Sequence, residues 1–239
     1  MKKLLLLLPV GLLAASGFFL FTTPSITENS KEEKVELSTK SPEQLFSMSQ
    51  DALSTLLRHG DQDAVSVLDA SVVQLKEKLP QYKRQGLNIT KVEELVEGYK
   101  RDTLALSKAI QPRLAKIKEY DQYEEKSEEK FLVAIEQIGL YELKTDYQKL
   151  IRIRQNYLKE PSTQLEDQYH EKLSTLIQTI QELYLDSNIE DPLYAYLNNH
   201  KNYFETMVVC YQEAGLERVI RLRNNTYAIK TELQLLPTL

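Results

Sequence analysis

The sequence predicts an all-α fold: an N-terminal membrane helix, then an extracytoplasmic antiparallel helical bundle of about seven helices, built as one bundle or as two stacked ones. Three observations carry this. Leu, Lys, Glu and Gln recur throughout a chain of 239 residues that holds only 7 Gly and 8 Pro, a helix-forming composition. Apolar residues return at three- and four-residue spacing in segment after segment, between recognisable start and stop signals. No segment alternates apolar and polar residues between turns as a sheet requires.

The first element is "MKKLLLLLPVGLLAASGFFLF", residues 1–21, in which Lys2 and Lys3 precede an uncharged run from Leu4 to Phe21. Rising about 1.5 Å per residue, such a helix approaches the ~30 Å hydrocarbon core. The paired lysines favour a cytoplasmic N-terminus, which places the rest of the chain in the periplasm or outside the cell. A signal peptide cut near Ala14, Ala15 and Ser16 is the competing reading, and it would release an exported soluble protein. Cleavage there would leave "GFFLF" exposed, so an uncleaved single-pass anchor in the cytoplasmic membrane is favoured. Residues 22–40 are polar, carry both charge signs and read as a flexible linker.

The helical-bundle domain is expected over residues 41–239. Ser41 can cap the first helix, Pro42 suits its first turn and Gly60 can end it. A second helix follows from Asp63, with Val65, Leu68, Val72 and Leu75 in register until Pro80 interrupts. Thr90 and Glu93 are spaced as a capping box for the third, which Pro112 should kink or restart. The acidic block Glu119 to Lys130 reads as a solvated helical face or a hinge. A fourth helix is expected from about Phe131 to Lys159. Pro161 with Ser162 or Thr163 starts a fifth, which fades at "DSNIEDP"; a sixth spans Pro192 to Glu213 and a seventh Leu216 to Leu236. A possible duplication shows in "LVEGYKRDTLALSKAIQ" from Leu95 and "LEDQYHEKLSTLIQTIQ" from Leu165, which share Leu, Tyr, Leu, Ile and Gln.

Several chemistries are disfavoured. The net charge of −5 opposes a nucleic-acid binder that relies on phosphate neutralisation. The lone Cys210 sits among apolar neighbours in "MVVCYQ" and reads as a buried small hydrophobe. His59, His170 and His200 fall on different helices, and the Asp167 to His170 spacing lacks the second pair a di-iron site needs, so no metal or cofactor is expected. Glycines never cluster into a phosphate loop. The 14 tyrosines, with Tyr184, Tyr194, Tyr196, Tyr203 and Tyr211 close together, read first as packing residues and second as a pocket or partner surface.

One motif recurs: "LIRIRQN" at residues 150–156 and "VIRLRNN" at 219–225. At about 100° per residue, Arg152 and Arg221 fall on a solvated face. Arg154 and Arg223 fall within the apolar stripe, each close to a tyrosine, Tyr157 and Tyr227. A guanidinium there must meet an anion, either a glutamate on a neighbouring helix or a small carboxylate-bearing ligand. These four residues are the candidate anion or partner site.

An anchor followed by antiparallel helices rich in Leu, Gln and Tyr is similar to the extracytoplasmic helical ectodomains of bacterial chemoreceptors and sensor kinases. Those receptors return through the membrane to a signalling module, whereas this sequence stops at "LQLLPTL". The expected function is therefore that of a non-enzymatic, membrane-tethered protein acting by protein contacts, as scaffold or accessory subunit of an envelope complex. The alternative is a sensor-like module that binds a small anionic molecule. The expected contacts are the membrane through residues 4–21 and a protein partner, with no nucleic acid.

Overall fold

Ser41 and Gln44 open the first helix of the folded body with a reciprocal cap. The Gln44 amide donates to Ser41 Oγ at 3.3 Å, and the Ser41 amide donates to Gln44 Oε1 at 2.8 Å. The computed structural model describes residues 37 and 39–237. The expected membrane span and most of the linker lie outside the described residues. Among the described residues, no helix is long and apolar enough to cross a membrane, and every regular element is helical.

Helix α1 covers Pro42–His59 and ends at Gly60, whose φ of 59° lies in the left-handed region. A side chain at Gly60 would collide with the Leu114 carbonyl, so glycine lets the end of α1 dock closely on a later helix. Helix α2, Asp63–Arg84, continues through Pro80, contrary to expectation. Proline removes one amide donor, but Leu79 and Tyr82 bury themselves on either side of it and hold the last turn in place. Helix α3 is Thr90–Ile110. The expected capping box is absent; instead the Thr90 amide donates to Asn88 Oδ1 at 3.2 Å.

Pro112 restarts the chain as expected, through a 3-10 turn over Gln111–Arg113 that leads into α4, Leu114–Ile138. The single helix expected from Phe131 to Lys159 is two: Gly139, at φ 73°, closes α4, and α5 spans Tyr141–Lys159. Ser162 caps α6, Thr163–Glu182, by accepting from the Leu165 amide at 3.3 Å. Helix α7, Ser187–Ala214, forms its first turn ahead of Pro192 rather than at it. Helix α8 is Leu216–Gln234.

These helices form two stacked bundles. In the first, α1 packs on α2, α2 on α3, α3 on α8 and α8 on α1; in the second, α4 packs on α5, α5 on α6, α6 on α7 and α7 on α4. Each is a closed four-helix ring around apolar stripes. The rings meet where α3 passes into α4, where α7 passes into α8, and where α1 docks on α4. Arg113 ties this junction by donating to both carboxylate oxygens of Glu213, at 2.7 and 2.5 Å.

One hydrophobic cluster runs through both bundles. In the second it is aromatic: Tyr169 stacks on Phe204 at 3.7 Å, Phe131 on Tyr196 at 4.3 Å and Tyr157 on Tyr211 at 5.8 Å. Each such contact is worth about 0.5–1.5 kcal/mol beyond its buried area. The tyrosines expected to pack largely do so, although Tyr184 is 92% exposed. The stretches that match at a 70-residue offset lie on α3 and α6, and both of their tyrosines, Tyr99 and Tyr169, are fully buried. Cys210 is buried as expected, and burial pushes its thiol up to about 11.

Candidate functional site

Arg154 enters the second bundle from α5, and its guanidinium forms a fork with Glu124 of α4. Nη1 donates to Oε2 at 2.9 Å and Nη2 to Oε1 at 2.8 Å. The Glu124 side chain belongs to the block expected to be a solvated face, and most of its neighbours there are exposed. Glu124 turns inward instead, because an arginine in the apolar stripe needs a counter-charge. Burial alone would lower the Arg154 pKa, but the hydrogen bonds and charge of Glu124 outweigh it and hold the guanidinium above its ordinary value. Its carbon centre lies 5.3 Å from the Tyr203 ring centroid, a cation–π contact.

Behind this pair lies a buried polar cluster that the sequence did not disclose. The Tyr169 hydroxyl and His200 Nδ1 are 2.7 Å apart, and the Tyr147 and Tyr196 hydroxyls are 2.8 Å apart. Burial, reinforced by the Arg154 charge, pushes His200 well below the ordinary histidine range and keeps it neutral. Burial also pushes Tyr203 up to about 12, against the pull of Arg154. His200 Nε2 and Arg154 Nε are buried without a hydrogen-bond partner among the described residues. Tyr157 is 1% exposed and belongs to the aromatic core rather than to a surface.

The second arginine of the stripe has a different setting. Arg223 pairs with Glu160 at 2.5 Å and lies 5.7 Å from the Tyr227 ring centroid, but its side chain keeps 32% of its exposure. Tyr227 is itself 62% exposed. Arg154 and Arg223 thus sit in different bundles, each closed by its own glutamate, and do not converge on one ligand. Arg152 is exposed, as expected. Arg221 is not an ordinary surface charge: it grips the carboxylate of Asp102 on α3, which has no exposed side-chain surface. That partner is remote in sequence, and helical periodicity carries no sign of it.

The surface feature that links the two arginines is a cleft at the junction of the bundles. Between α1, which packs on α2, α4 and α8, and α5, which packs on α4 and α6, the surface is open. Three contiguous sections of about 320, 350 and 290 Å³ follow one another there. The first carries Arg154, Glu124, His59 and Asp121, with His59 Nδ1 2.8 Å from Asp121 Oδ2. The last carries Arg223, Tyr227, Leu106 and Leu222. Leu158 lines all three sections and forms the shared floor.

The middle section is lined by Leu53, Leu57 and Leu158 together with Arg58 and Lys159, and no carboxylate lines it. Neither Arg58 nor Lys159 makes an ion pair with any described residue. Sequence reading passed over both, since each looks like an ordinary charge in the last turn of a helix, and only the junction brings them to one cleft. Among the described residues, no group of three or more His, Cys, Asp or Glu side chains is arranged to hold a metal ion.

No family model matches the chain, and neither a curated protein nor a solved structure is similar enough to count as a match.

Proposed function

We propose that this chain is a non-enzymatic protein that works by protein contacts, a scaffold or accessory subunit held to the membrane by residues 4–21 with its two bundles outside. The observation that carries this reading is an apolar tip on the second bundle. Helices α5 and α6, linked through residues 160–162, meet again where Lys172 lies 3.4 Å from Asp146, and α4 and α7 meet at Tyr120–Asn199 and at Phe131–Tyr196, so each pair runs antiparallel. The α4–α5 and α6–α7 turns therefore share one end. There Leu140, Tyr141 and Tyr184 are 38%, 81% and 92% exposed. Exposed tyrosines are effective interface anchors, and leaving them in water has no benefit to the fold.

The test is site-specific photo-crosslinking from positions 141 and 184 in native membranes, followed by identification of the captured protein. A discrete partner that is lost in the Tyr141→Asp/Tyr184→Asp variant is the expected result. Labelling by lipid or by no protein at all overturns the reading.

A second reading, a module that binds a small anion, is favoured by one observation: the cleft between the bundles holds two cations, Arg58 and Lys159, that make no ion pair with a described residue.

A further inference from the structure

Of the cations that line the junction cleft, Arg154 and Arg223 are already occupied. The fork to Glu124 uses both terminal nitrogens of Arg154, and Glu160 holds Arg223. A ligand carboxylate would have to displace a glutamate that is covalently part of the fold, a competition a small molecule loses. Arg58 and Lys159 make no ion pair with a described residue, although Arg58 also borders the first section, where Asp121, Glu124 and Glu128 stand. The two cations stand on opposite walls, one on α1 and one on α5, over a floor of leucines.

We infer that the middle of the cleft binds an amphipathic monocarboxylate, which deepens the small-anion reading and rests on it. The carboxylate lies between Arg58 and Lys159. The apolar body runs over Leu53, Leu57 and Leu158 into the adjoining section, where Leu106 and Leu222 line a largely apolar wall. Three features select this class. Two cations that make no ion pair with a described residue favour an anionic head and oppose a cationic ligand. A leucine floor rewards hydrocarbon, at about 25 cal/mol per Å² of apolar surface removed from water. The middle section, about 350 Å³, falls in the range of small-molecule sites, and the last, about 290 Å³, adjoins it. The opposite end of the cleft is closed to the anion by Asp121, Glu124 and Glu128. Arg58 borders that acidic section as well, so the carboxylate is held on the Lys159 side of Arg58, and the apolar wall at Leu106 and Leu222 takes the tail.

The probe is octanoate, titrated calorimetrically into the full chain in lipid nanodiscs, with empty nanodiscs subtracted. Saturable binding is expected, weakened about tenfold or more in Arg58→Gln/Lys159→Gln, in line with the loss of charge-assisted contacts. Both side chains are exposed and make no ion pair with described residues, so this variant should fold; its circular dichroism spectrum checks that. Leu53→Trp, which fills the floor and keeps both cations, should weaken binding as well, and Arg152→Gln should not. If octanoate gives no saturable heat at millimolar concentration, the small-anion reading falls together with this site. If octanoate binds the double variant as tightly as the wild type, the small-anion reading stands and this site is wrong; if octanol binds as tightly as octanoate, the anionic head contributes nothing and both fall.

Discussion

Arg221 and Asp102 form a two-pronged ion pair that joins α8 to α3: Nε donates to Oδ2 at 2.7 Å and Nη2 to Oδ1 at 2.8 Å. The two partners are unequally buried, Asp102 having no exposed side-chain surface and Arg221 keeping 43% of its own. Burial pushes the Asp102 carboxyl up, but the hydrogen bonds and charge of Arg221, with Arg101 adding to them, outweigh this and hold it below the usual carboxylate range. One helical turn from each partner α3 and α8 come close together, and a Cβ on Gly98 would lie 2.8 Å from Asn225 Nδ2.

The unequal burial predicts an unequal mutational response. Asp102→Asn should destabilise by about 1–3 kcal/mol, the cost of weakened buried hydrogen bonds to a charge. Arg221 would then still reach water. Arg221→Met should cost more, because it strands a buried carboxylate with only the distant Arg101 Nε, 3.4 Å away, to meet it. Urea denaturation of both variants gives the order. Equal losses, or a larger loss for Asp102→Asn, would show that the carboxylate is better solvated than its position indicates. The folded-state pKa of Asp102 is depressed, so its contribution is full above the unfolded value near 3.9 and is lost as pH falls through the lower folded value.

The contrast between this pair and the rest of the fold shows what a sequence of this kind discloses. Ser41, Pro42 and Gly60 mark the limits of α1 because capping and left-handed backbone are local physics, readable from neighbouring residues. Ser162 marks the start of α6 for the same reason. The all-helical class follows from repeated apolar stripes, which leave one bundle or two stacked ones open; the contacts between helices decide for two. The apolar pattern continues across Gly139 and hides the break there, while at Pro80 buried neighbours outweigh one missing hydrogen bond. Arg221 and Glu124 were both assigned to solvated faces, since helical periodicity places a residue on a face but does not say which helix covers that face. The cleft lay beyond sequence reading altogether: α1, α5 and α8 are far apart in the chain, and Arg58 and Lys159 acquire meaning only where those helices meet.

His200 makes stability depend on pH closer to neutrality. Its folded pKa lies well below the unfolded value of about 6.5, chiefly through burial and then through the Arg154 charge. Above that unfolded value both states are neutral and the full stability is present. As pH falls below it, the unfolded chain takes up a proton that the buried ring refuses, and stability drops toward a slope of about 1.4 kcal/mol per pH unit. Denaturation curves at pH 7, 6 and 5 should therefore show a steeper decline for the wild type than for His200→Leu. The slope is the readout, since His200→Leu also removes the partner of the Tyr169 hydroxyl and lowers stability at every pH. Parallel curves for the two proteins would mean that His200 gains its proton in the folded state as readily as in the unfolded one.

The fork between Arg154 and Glu124 predicts a non-additive pair of substitutions. The two side chains are only 12% and 21% exposed, so removing either leaves a charge where water reaches poorly. Arg154→Met strands Glu124 near the Tyr147 and Tyr196 hydroxyls, and Glu124→Leu strands a guanidinium beside neutral His200. Each single variant should lose about 3–5 kcal/mol, the cost of breaking a buried ion pair. The double variant Arg154→Met/Glu124→Leu puts apolar groups of similar volume in place of both charges. It should recover most of that loss, because the attraction between the charges was largely offset by their desolvation. The same change tests the role of the pair in ligand binding. If the fork serves the fold alone, the double variant keeps the shape of the cleft and binds octanoate as the wild type does. A double variant that is as unstable as the sum of the singles would show that Arg154 and Glu124 are held apart in solution and act independently.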